Sequence, residues 1–127
     1  MKKVIFVDDS KTVLMVAKMS VKELIASKQI EIQTFENPLE ALKLVEGGYT
    51  YDLLITDINM PQMSGLEMAK RLKSLNNVKL KPILALTTEK SPEIINRGKE
   101  IGLAGWIVKP FTEQKLLMGV KRVLKLR

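Results

Sequence analysis

Five short runs rich in β-branched and other apolar residues alternate with longer segments of helical period, and this alternation restricts the fold more than any other feature. The runs are Lys3–Val7, Ile30–Phe35, Asp52–Thr56, Pro82–Thr87 and Gly105–Val108. Strands that alternate with helices favour βαβ crossovers and so a parallel sheet. The third and fourth runs, DLLIT and PILALT, are almost continuously apolar. Such runs are typical of central strands covered by helices on both faces.

Three of the segments between these runs carry helix-start signals. Asn37 and Ser91 each place a capping side chain before a proline at the first helical position, and Ser64 with Glu67 has the spacing of a capping box. There is no linker, repeat or low-complexity segment, so residues 1–127 are expected to form one domain. Five β-α units in a domain of this size predict an α/β, flavodoxin-like, doubly wound fold. Its five-stranded parallel sheet would have the order 2-1-3-4-5, with helices on both faces.

Composition excludes several kinds of chemistry. The chain has no cysteine and no histidine, which excludes disulfides, Cys/His zinc sites, a Ser-His-Asp triad and histidine acid-base catalysis. No apolar run approaches the roughly 18 residues of a membrane-spanning helix. Asp8 and Asp9 interrupt the first apolar stretch before a signal peptide could form. We therefore expect a cytoplasmic protein, in which any metal is held by oxygen ligands.

The net charge of +7 is concentrated at the end of the chain. The segment from Val108 to Arg127 contains six lysines and arginines and one acid. A surface for nucleic acid or for an anionic membrane is one interpretation. However, the basic residues fall opposite an apolar stripe of helical spacing, and that side offers no aromatic platform on which nucleobases could stack. A solvated helix face is favoured, so we expect no nucleic-acid partner, no membrane partner and a monomer.

Acidic residues follow the first and third predicted strands. In the predicted fold, ligands bind at the carboxyl ends of the strands, between the first and the third. Asp8, Asp9 and Asp57 would therefore meet in one cavity, where they repel one another unless a cation is present. Hard carboxylate oxygens suit Mg²⁺. The alternative is structural: Asp9 or Ser10 would cap the next helix and Asp57 would begin the turn before Pro61. We favour the metal site because the alternative brings three acids to one edge by coincidence.

Two further polar residues stand at the ends of the fourth and fifth strands. Lys109 can neutralise an anion at the same edge, although it could also be one surface lysine among many. Pro110 excludes a helical backbone at Lys109 and makes the Lys109–Pro110 bond a candidate for the cis form. Thr87 supplies a hydroxyl donor. Carboxylate, divalent cation, ammonium and hydroxyl together form a binding set for a phosphoryl group on Asp57, which would be a carboxylate nucleophile.

Four motifs lie at these strand ends. They are Asp8-Asp9-Ser10; Asp57 with Asn59-Met60-Pro61, Met63 and Gly65; Leu86-Thr87-Thr88-Glu89; and Trp106-Ile107-Val108-Lys109-Pro110-Phe111. Over essentially the whole chain they resemble the receiver domains of two-component response regulators, and most of all the single-domain, CheY-like chemotaxis members. An isolated motif would mean little, but the combination is highly specific.

The resemblance implies how the chain reacts. Asp57 would be the phosphoacceptor, and Thr87 and Lys109 would contact the phosphoryl oxygens. The donor would be a phosphohistidine of a sensor histidine kinase, because this chain has no histidine. The chain would catalyse only its own phosphorylation and dephosphorylation, and so would not be an enzyme with a separate substrate.

The resemblance also implies a metal set and a hydrolytic site. Mg²⁺, with Mn²⁺ as a substitute, would be bound by the carboxylates of Asp9 and Asp57 and by the backbone carbonyl of Asn59. Asp8 would act through metal-bound water. The side chains of Asn59 and Glu89 would flank the attacking water and modulate dephosphorylation.

Thr87 and Trp106 are the switch residues that the resemblance implies. The family usually has tyrosine or phenylalanine where this chain has Trp106, and that aromatic residue turns inward on activation. Two interpretations of Trp106 remain open: a partner reads an outward ring directly, or the ring is a fixed packing residue. Gly98 lowers the helix propensity of the segment before Trp106.

The expected function is two-component signal transduction. The response regulator would be phosphorylated on Asp57 and would relay the signal by phosphorylation-dependent protein binding, in chemotaxis to the flagellar motor switch. One alternative is a phosphorelay intermediate or phosphate sink, with a histidine phosphotransfer protein as partner. Another is a phosphate-independent interaction module, which the complete set of Asp57, Thr87 and Lys109 disfavours. A DNA-binding regulator is weaker still, because no segment remains for a helix-turn-helix.

Overall fold

The computed structural model of the chain describes residues 1–75, 81–88 and 91–126. The strands are β1 (Lys2–Val7), β2 (Ile30–Phe35), β3 (Leu53–Asp57), β4 (Ile83–Thr87) and β5 (Gly105–Val108). The helices are α1 (Lys11–Ser20), α2 (Lys22–Ala26), α3 (Pro38–Glu46), α4 (Gly65–Lys73), α5 (Pro92–Ile101) and α6 (Glu113–Leu124). All five predicted strands are present, with bounds that differ from the prediction by at most one residue.

The strands form one parallel sheet of order β2-β1-β3-β4-β5. The predicted flavodoxin-like topology is therefore confirmed. Val7 at the end of β1 pairs with Phe35 on one side and with Thr56 on the other, and Thr87 at the end of β4 pairs with Val108. Because all the pairs are parallel, the carboxyl ends of the strands lie along one edge of the sheet.

The sheet is covered on both faces. Successive side chains of β1 alternate between two apolar layers, as strand geometry requires: Ile5 and Val7 enter one layer, Val4 and Phe6 the other. The first layer is completed by α3, α4 and α5, and the second by α1, α2 and α6. No helix in the described part of the chain is long and apolar enough to cross a membrane.

The predicted helix starts are confirmed by their capping bonds. The Asn37 side chain accepts a hydrogen bond from the Leu39 N–H at 2.9 Å, that of Ser64 from Glu67 at 3.0 Å, and that of Ser91 from Ile94 at 3.3 Å. Caps of this kind stabilise a helix by about 1 kcal/mol each. The polar side chains before α3, α4 and α5 thus fix where the connections from the strand ends stop.

The first helical segment differs from the single helix expected of five β-α units. The Ser20 hydroxyl donates to the Val16 carbonyl at 2.7 Å, a local bond that competes with the helical ladder and bends helices. Val21 leaves helical geometry, with φ −114° and ψ 16°, and its N–H binds the Lys18 carbonyl at 3.3 Å. The segment is therefore divided into α1 and the short α2.

Candidate functional site

Three carboxylates converge at the carboxyl edge of the sheet. Asp8 and Asp9 follow β1, Asp57 ends β3, and one carboxylate oxygen from each lies within 4.8 Å of the others. Asp8 is fully buried, Asp57 is 6% exposed, and Asp9 is exposed. The Ser10 N–H donates to Asp8 Oδ1 at 2.9 Å. The cluster thus has two buried carboxylates beneath one that faces solvent.

Lys109, which follows β5, reaches the same cluster. Its Nζ lies 2.7 Å from Asp8 Oδ2 and 3.1 Å from Asp57 Oδ2, and the lysine side chain is 18% exposed. The Lys109–Pro110 peptide bond is cis. The expectation that Lys109 points to the acidic edge, and is not an ordinary surface lysine, agrees with these distances. One ammonium against three carboxylates leaves the cluster with an excess of negative charge.

Two groups of the cluster, Asp8 and Lys109, have shifted pKa values. Burial raises the pKa of Asp8, with a smaller contribution from the charge of Asp57. This outweighs the hydrogen bonds from Lys109 and the Ser10 N–H and the charge of Lys109, which act to lower it. Burial acts to lower the pKa of Lys109, but hydrogen bonds and charge from Asp8 and Asp57 outweigh it, so that the pKa of Lys109 is raised. Lys109 therefore stays protonated at neutral pH.

The cluster has the donor set that a small divalent cation requires. Asp9 makes no hydrogen bond or ion pair with any residue that the structure describes. Ser10, and not Asp9, caps α1, by accepting a hydrogen bond from the Val13 N–H at 3.3 Å. The capping alternative for Asp9 is thereby removed. Mg²⁺ is commonly bound through one or two carboxylates while it keeps several waters, and Asp8, Asp9 and Asp57 fit such a site.

The loop after Asp57 is closed by a glycine whose role the sequence did not reveal. The Gly65 N–H donates to the Ile58 carbonyl at 2.9 Å, and a Cβ atom on residue 65 would stand 2.2 Å from the Asp57 carbonyl oxygen. Only glycine permits so close an approach. A glycine directly after the capping Ser64, where a good helix former would be expected, was the signal available in the sequence.

Asn59 lies in this loop. Its N–H donates to Asp57 Oδ1 at 3.2 Å, and the residue is exposed. Asp57 therefore has one carboxylate oxygen directed toward Asn59 and the other toward Lys109. Glu89, the other residue predicted to flank the attacking water, lies outside the described residues.

The two predicted switch residues lie on neighbouring strands. Thr87 is 1% exposed at the end of β4, one residue beyond Leu86, which pairs with Asp57. The Thr87 carbonyl accepts the Lys109 N–H at 3.0 Å. Trp106 in β5 pairs with Ala85 and is half-buried against the layer of α3, α4 and α5. The ring thus combines a packed side with a solvent-facing one.

A doubly wound sheet with this acidic edge defines a receiver domain, and the chain belongs to the response regulator receiver domain family, whose profile matches residues 4–121. It is 34% identical over 122 residues to chemotaxis protein CheY1 of Helicobacter pylori strain J99, with 96% of each chain covered. It is 28% identical to chemotaxis protein CheY of Pseudomonas aeruginosa, with 97% of this chain and 96% of that protein covered. These likenesses identify a CheY-like receiver of two-component signalling.

Solved structures give the same result. The chemotaxis response regulator CheY4 of Vibrio cholerae matches with a TM-score of 0.85 and 38% identity, over 98% of this chain and 99% of that one. The beryllofluoride-activated receiver domain of DrrB matches with a TM-score of 0.82 and 26% identity, over 98% of each chain.

Proposed function

We propose that Asp57 accepts a phosphoryl group from the phosphohistidine of a sensor histidine kinase in a Mg²⁺-dependent reaction, and that the phosphorylated chain relays the signal by binding a partner protein. In chemotaxis that partner is the flagellar motor switch. The observation that carries the proposal is the convergence of the Asp8, Asp9 and Asp57 carboxylates with the Lys109 ammonium, in a chain of the receiver family.

The nucleophile is held before the donor arrives. Asp57 Oδ1 accepts from the Asn59 N–H, and Oδ2 faces Lys109 Nζ. An Asp57 oxygen attacks phosphorus, the P–N bond breaks, and the electron pair leaves with the kinase histidine. Lys109 and the Thr87 hydroxyl stabilise charge on the transferred phosphoryl oxygens, because fixed donors in a partly dry site stabilise developing charge better than water does.

Four residues would hold the metal. Asp9, Asp57 and the backbone carbonyl of Asn59 would bind Mg²⁺ directly, or Mn²⁺ in its place, and Asp8 would act through water. When bound, the ion supplies positive charge to the phosphoryl oxygens. Asp9 suits this role because it is exposed and is not engaged by any described residue.

Dephosphorylation uses the same edge. Water attacks phosphorus, the P–O bond to Asp57 breaks, and inorganic phosphate is released. The exposed Asn59 stands beside Asp57, where its side chain can orient this water, and Glu89 is assigned the same role from its place in the motif. The chain is then its own catalyst and not an enzyme with a separate substrate.

Acetyl phosphate tests the assignment of Asp57. With Mg²⁺ present, intact-mass spectrometry should show one added phosphoryl group, and chelation of the metal should prevent it. Asp57→Asn should abolish labelling, whereas Asp52→Asn, which changes a carboxylate at the opposite edge of the sheet, should not. Stoichiometric labelling of another residue, or equal labelling without metal, would contradict the proposal.

Two purified partners test the pathway. The chain loaded with Mg²⁺ and beryllofluoride should bind a motor-switch protein more tightly than the unloaded chain. If instead the phosphorylated chain passes its phosphoryl group to a histidine phosphotransfer protein and shows no loaded-state preference for the motor protein, the chain is a phosphorelay intermediate or phosphate sink.

A further inference from the structure

The outward faces of α1 and α6 carry exposed methionine side chains. Among the described residues, six large apolar side chains are exposed, and three of them lie on these two helices: Met15 at 65%, Met19 at 54% and Met118 at 55%. Met15 and Met19 are four residues apart on α1 and so share one face of the helix. These three exposed methionine side chains do not contribute to the packing of the core.

The two helices are neighbours. They pack against each other on the same side of the sheet, where Leu14 and Ala17 of α1 enter the same apolar layer as Leu116 and Val120 of α6. Because the inward faces converge on one layer, the outward faces lie side by side. The exposed surface of α1 therefore continues into that of α6.

Lysines accompany these methionines. Lys18 lies on α1, Lys121 follows Met118 by three residues on α6, and Lys125 caps that helix. We call Met15, Lys18, Met19, Met118, Lys121 and Lys125 the Met–Lys face. Helix α1 contains no acid, and Glu113, in the first turn, is the one acid of α6. Two of the six basic residues between Val108 and Arg127, Lys121 and Lys125, thus belong to this face.

The Met–Lys face extends away from the acidic edge. Helix α1 starts at Lys11, after its cap Ser10, and returns along the sheet from the acidic edge. Its last turn, with Met19, therefore points to the opposite edge. Helix α6 starts a few residues after Lys109 and also returns, which places Lys121 and Lys125 toward that opposite edge. A partner on this face would not need to contact Asp57.

Helix electrostatics explain only part of the pattern. Lys18 and Lys121 lie in last turns, where a cation is favourable beside the negative end of the helix dipole. This accounts for the lysines and not for the methionines. Flexible, polarizable methionine side chains adapt to irregular apolar partners, and the surrounding lysines select a partner of negative charge.

We propose that the Met–Lys face docks an acidic amphipathic helix of another protein, and that it does so irrespective of phosphorylation on Asp57. An anionic membrane fits less well, because helices that lie in a bilayer surface bury a broad apolar face with tryptophan, phenylalanine or leucine. Nucleic acid fits less well because the face offers no aromatic ring for stacking.

Methionine methyl NMR tests this surface. The probe is a synthetic helical peptide of about five turns, with leucines along one face flanked by glutamates. The control peptide has glutamine in place of each glutamate. In protein labelled at the methionine methyl carbons, the glutamate peptide should shift the signals of Met15, Met19 and Met118 and leave the buried Met60 and Met68 unchanged. The glutamine peptide should bind at least about tenfold more weakly, because it lacks charge complementary to the lysines.

Variants provide a second measurement. Lys18→Glu with Lys121→Glu should weaken the glutamate peptide at least about tenfold, whereas Lys70→Glu with Lys73→Glu on α4 should change its affinity little. Met15→Gln with Met19→Gln removes apolar area without reversing charge and should also weaken binding. Mg²⁺ with beryllofluoride should leave the affinity unchanged.

Several results would overturn the proposal. They are unshifted Met15, Met19 and Met118 signals, equal affinity for the two peptides, or affinity that requires beryllofluoride. Phosphatidylglycerol vesicles that shift these signals when the peptide does not would assign the face to a membrane. Labelling of Asp57 by acetyl phosphate is measured separately, so its failure would not be confused with failure of the docking surface.

Discussion

The indole ring of Trp106 lies so close to Gly98 of α5 that a Cβ atom on residue 98 would stand 2.9 Å from Cζ2 of the ring and 3.0 Å from Cδ1 of Leu103. Glycine inside a helix costs about 1 kcal/mol relative to alanine. The sequence presented Gly98 as a weak point of the helix, whereas the structure gives it a steric role: it makes room for an aromatic ring larger than the family's usual tyrosine or phenylalanine.

Gly98→Ala should displace Trp106 toward solvent. The new methyl group is closer to the rigid ring than side chains tolerate, and overpacking of this kind costs about 1–3 kcal/mol, which exceeds the helix-propensity gain of about 1 kcal/mol. Because Trp106 is the only tryptophan, its emission should shift to longer wavelength and become more accessible to acrylamide quenching. Urea unfolding should show a net loss of stability.

A double-mutant cycle isolates the contact. In a Trp106→Phe background the smaller ring leaves space, so Gly98→Ala should become neutral or stabilising by up to about 1 kcal/mol. If the alanine costs the same in both backgrounds, the ring is not what requires glycine at position 98.

Thr87 should couple the phosphoryl site to Trp106. Mg²⁺ alone should change the emission little, and Mg²⁺ with beryllofluoride should change it clearly. Thr87→Ala should keep Mg²⁺ binding and labelling of Asp57 but lose much of the second change, because no hydroxyl remains through which the anion can move the strand end. Thr87→Ser, which keeps the hydroxyl, should respond as the parent does. A full response from the alanine variant would make Trp106 a packing residue only.

Asp8→Asn should raise the melting temperature of the metal-free protein. Burial raises the pKa of Asp8 above its usual value of 3.8, so the folded protein favours the neutral carboxyl, and the stability from this group falls as pH rises above that value. Asparagine removes that loss and keeps the oxygen that accepts the Ser10 N–H. Its amide group then replaces Asp8 Oδ2 beside Lys109, but the ammonium keeps Asp57 Oδ2, at 3.1 Å, as its ion-pair partner. The gain should be larger at about pH 7 than at about pH 4. Asp9→Asn, at an exposed position, is the matched control, and an equal gain there would show that burial is not the cause.

Lys109→Met should destabilise the metal-free protein. It keeps the length of the side chain but leaves the buried Asp8 and Asp57 without their cation. Removing one partner of a fully buried ion pair costs about 3 kcal/mol or more, and because the Lys109 side chain is 18% exposed we expect a loss of roughly 1–3 kcal/mol. Mg²⁺ should stabilise this variant more than the parent, because the ion takes over the neutralising role, and thermal unfolding with and without Mg²⁺ measures both effects. A variant as stable as the parent would mean that the ion pairs contribute nothing to folding.

The carboxyl edge was accessible from the sequence because it depends on local pattern. An apolar run followed directly by Asp8 or Asp57 predicts both that a strand is present and where it ends. Parallel pairing then brings those ends together. The position of Lys109 at this edge could be predicted in the same way, because Pro110 indicates the end of the last strand.

Features that depend on distant neighbours were not accessible. Nothing in the sequence around Gly98 indicates that an indole from β5 occupies the space left by its missing side chain. The division of the first helical segment was missed for a local reason: a serine near a helix end can face solvent or bind the carbonyl four residues back, and the sequence pattern does not distinguish the two. The sequence also could not predict which acids of the cluster are buried. Asp8 and Asp9 are adjacent aspartates, but Asp8 is buried and Asp9 is exposed.

The close approach of Gly65 to the Asp57 carbonyl bears on how such a receiver can diversify. The loop from Ile58 to Ser64 is closed by the Gly65 contact and by the bond from the Asn59 N–H to Asp57, and neither involves the side chain at position 59. Under the proposal that the Asn59 side chain orients the attacking water, substitutions there would change how quickly a signal decays and leave the backbone of the loop in place. Signal duration would then be a property that selection, or an engineer, could tune one residue at a time.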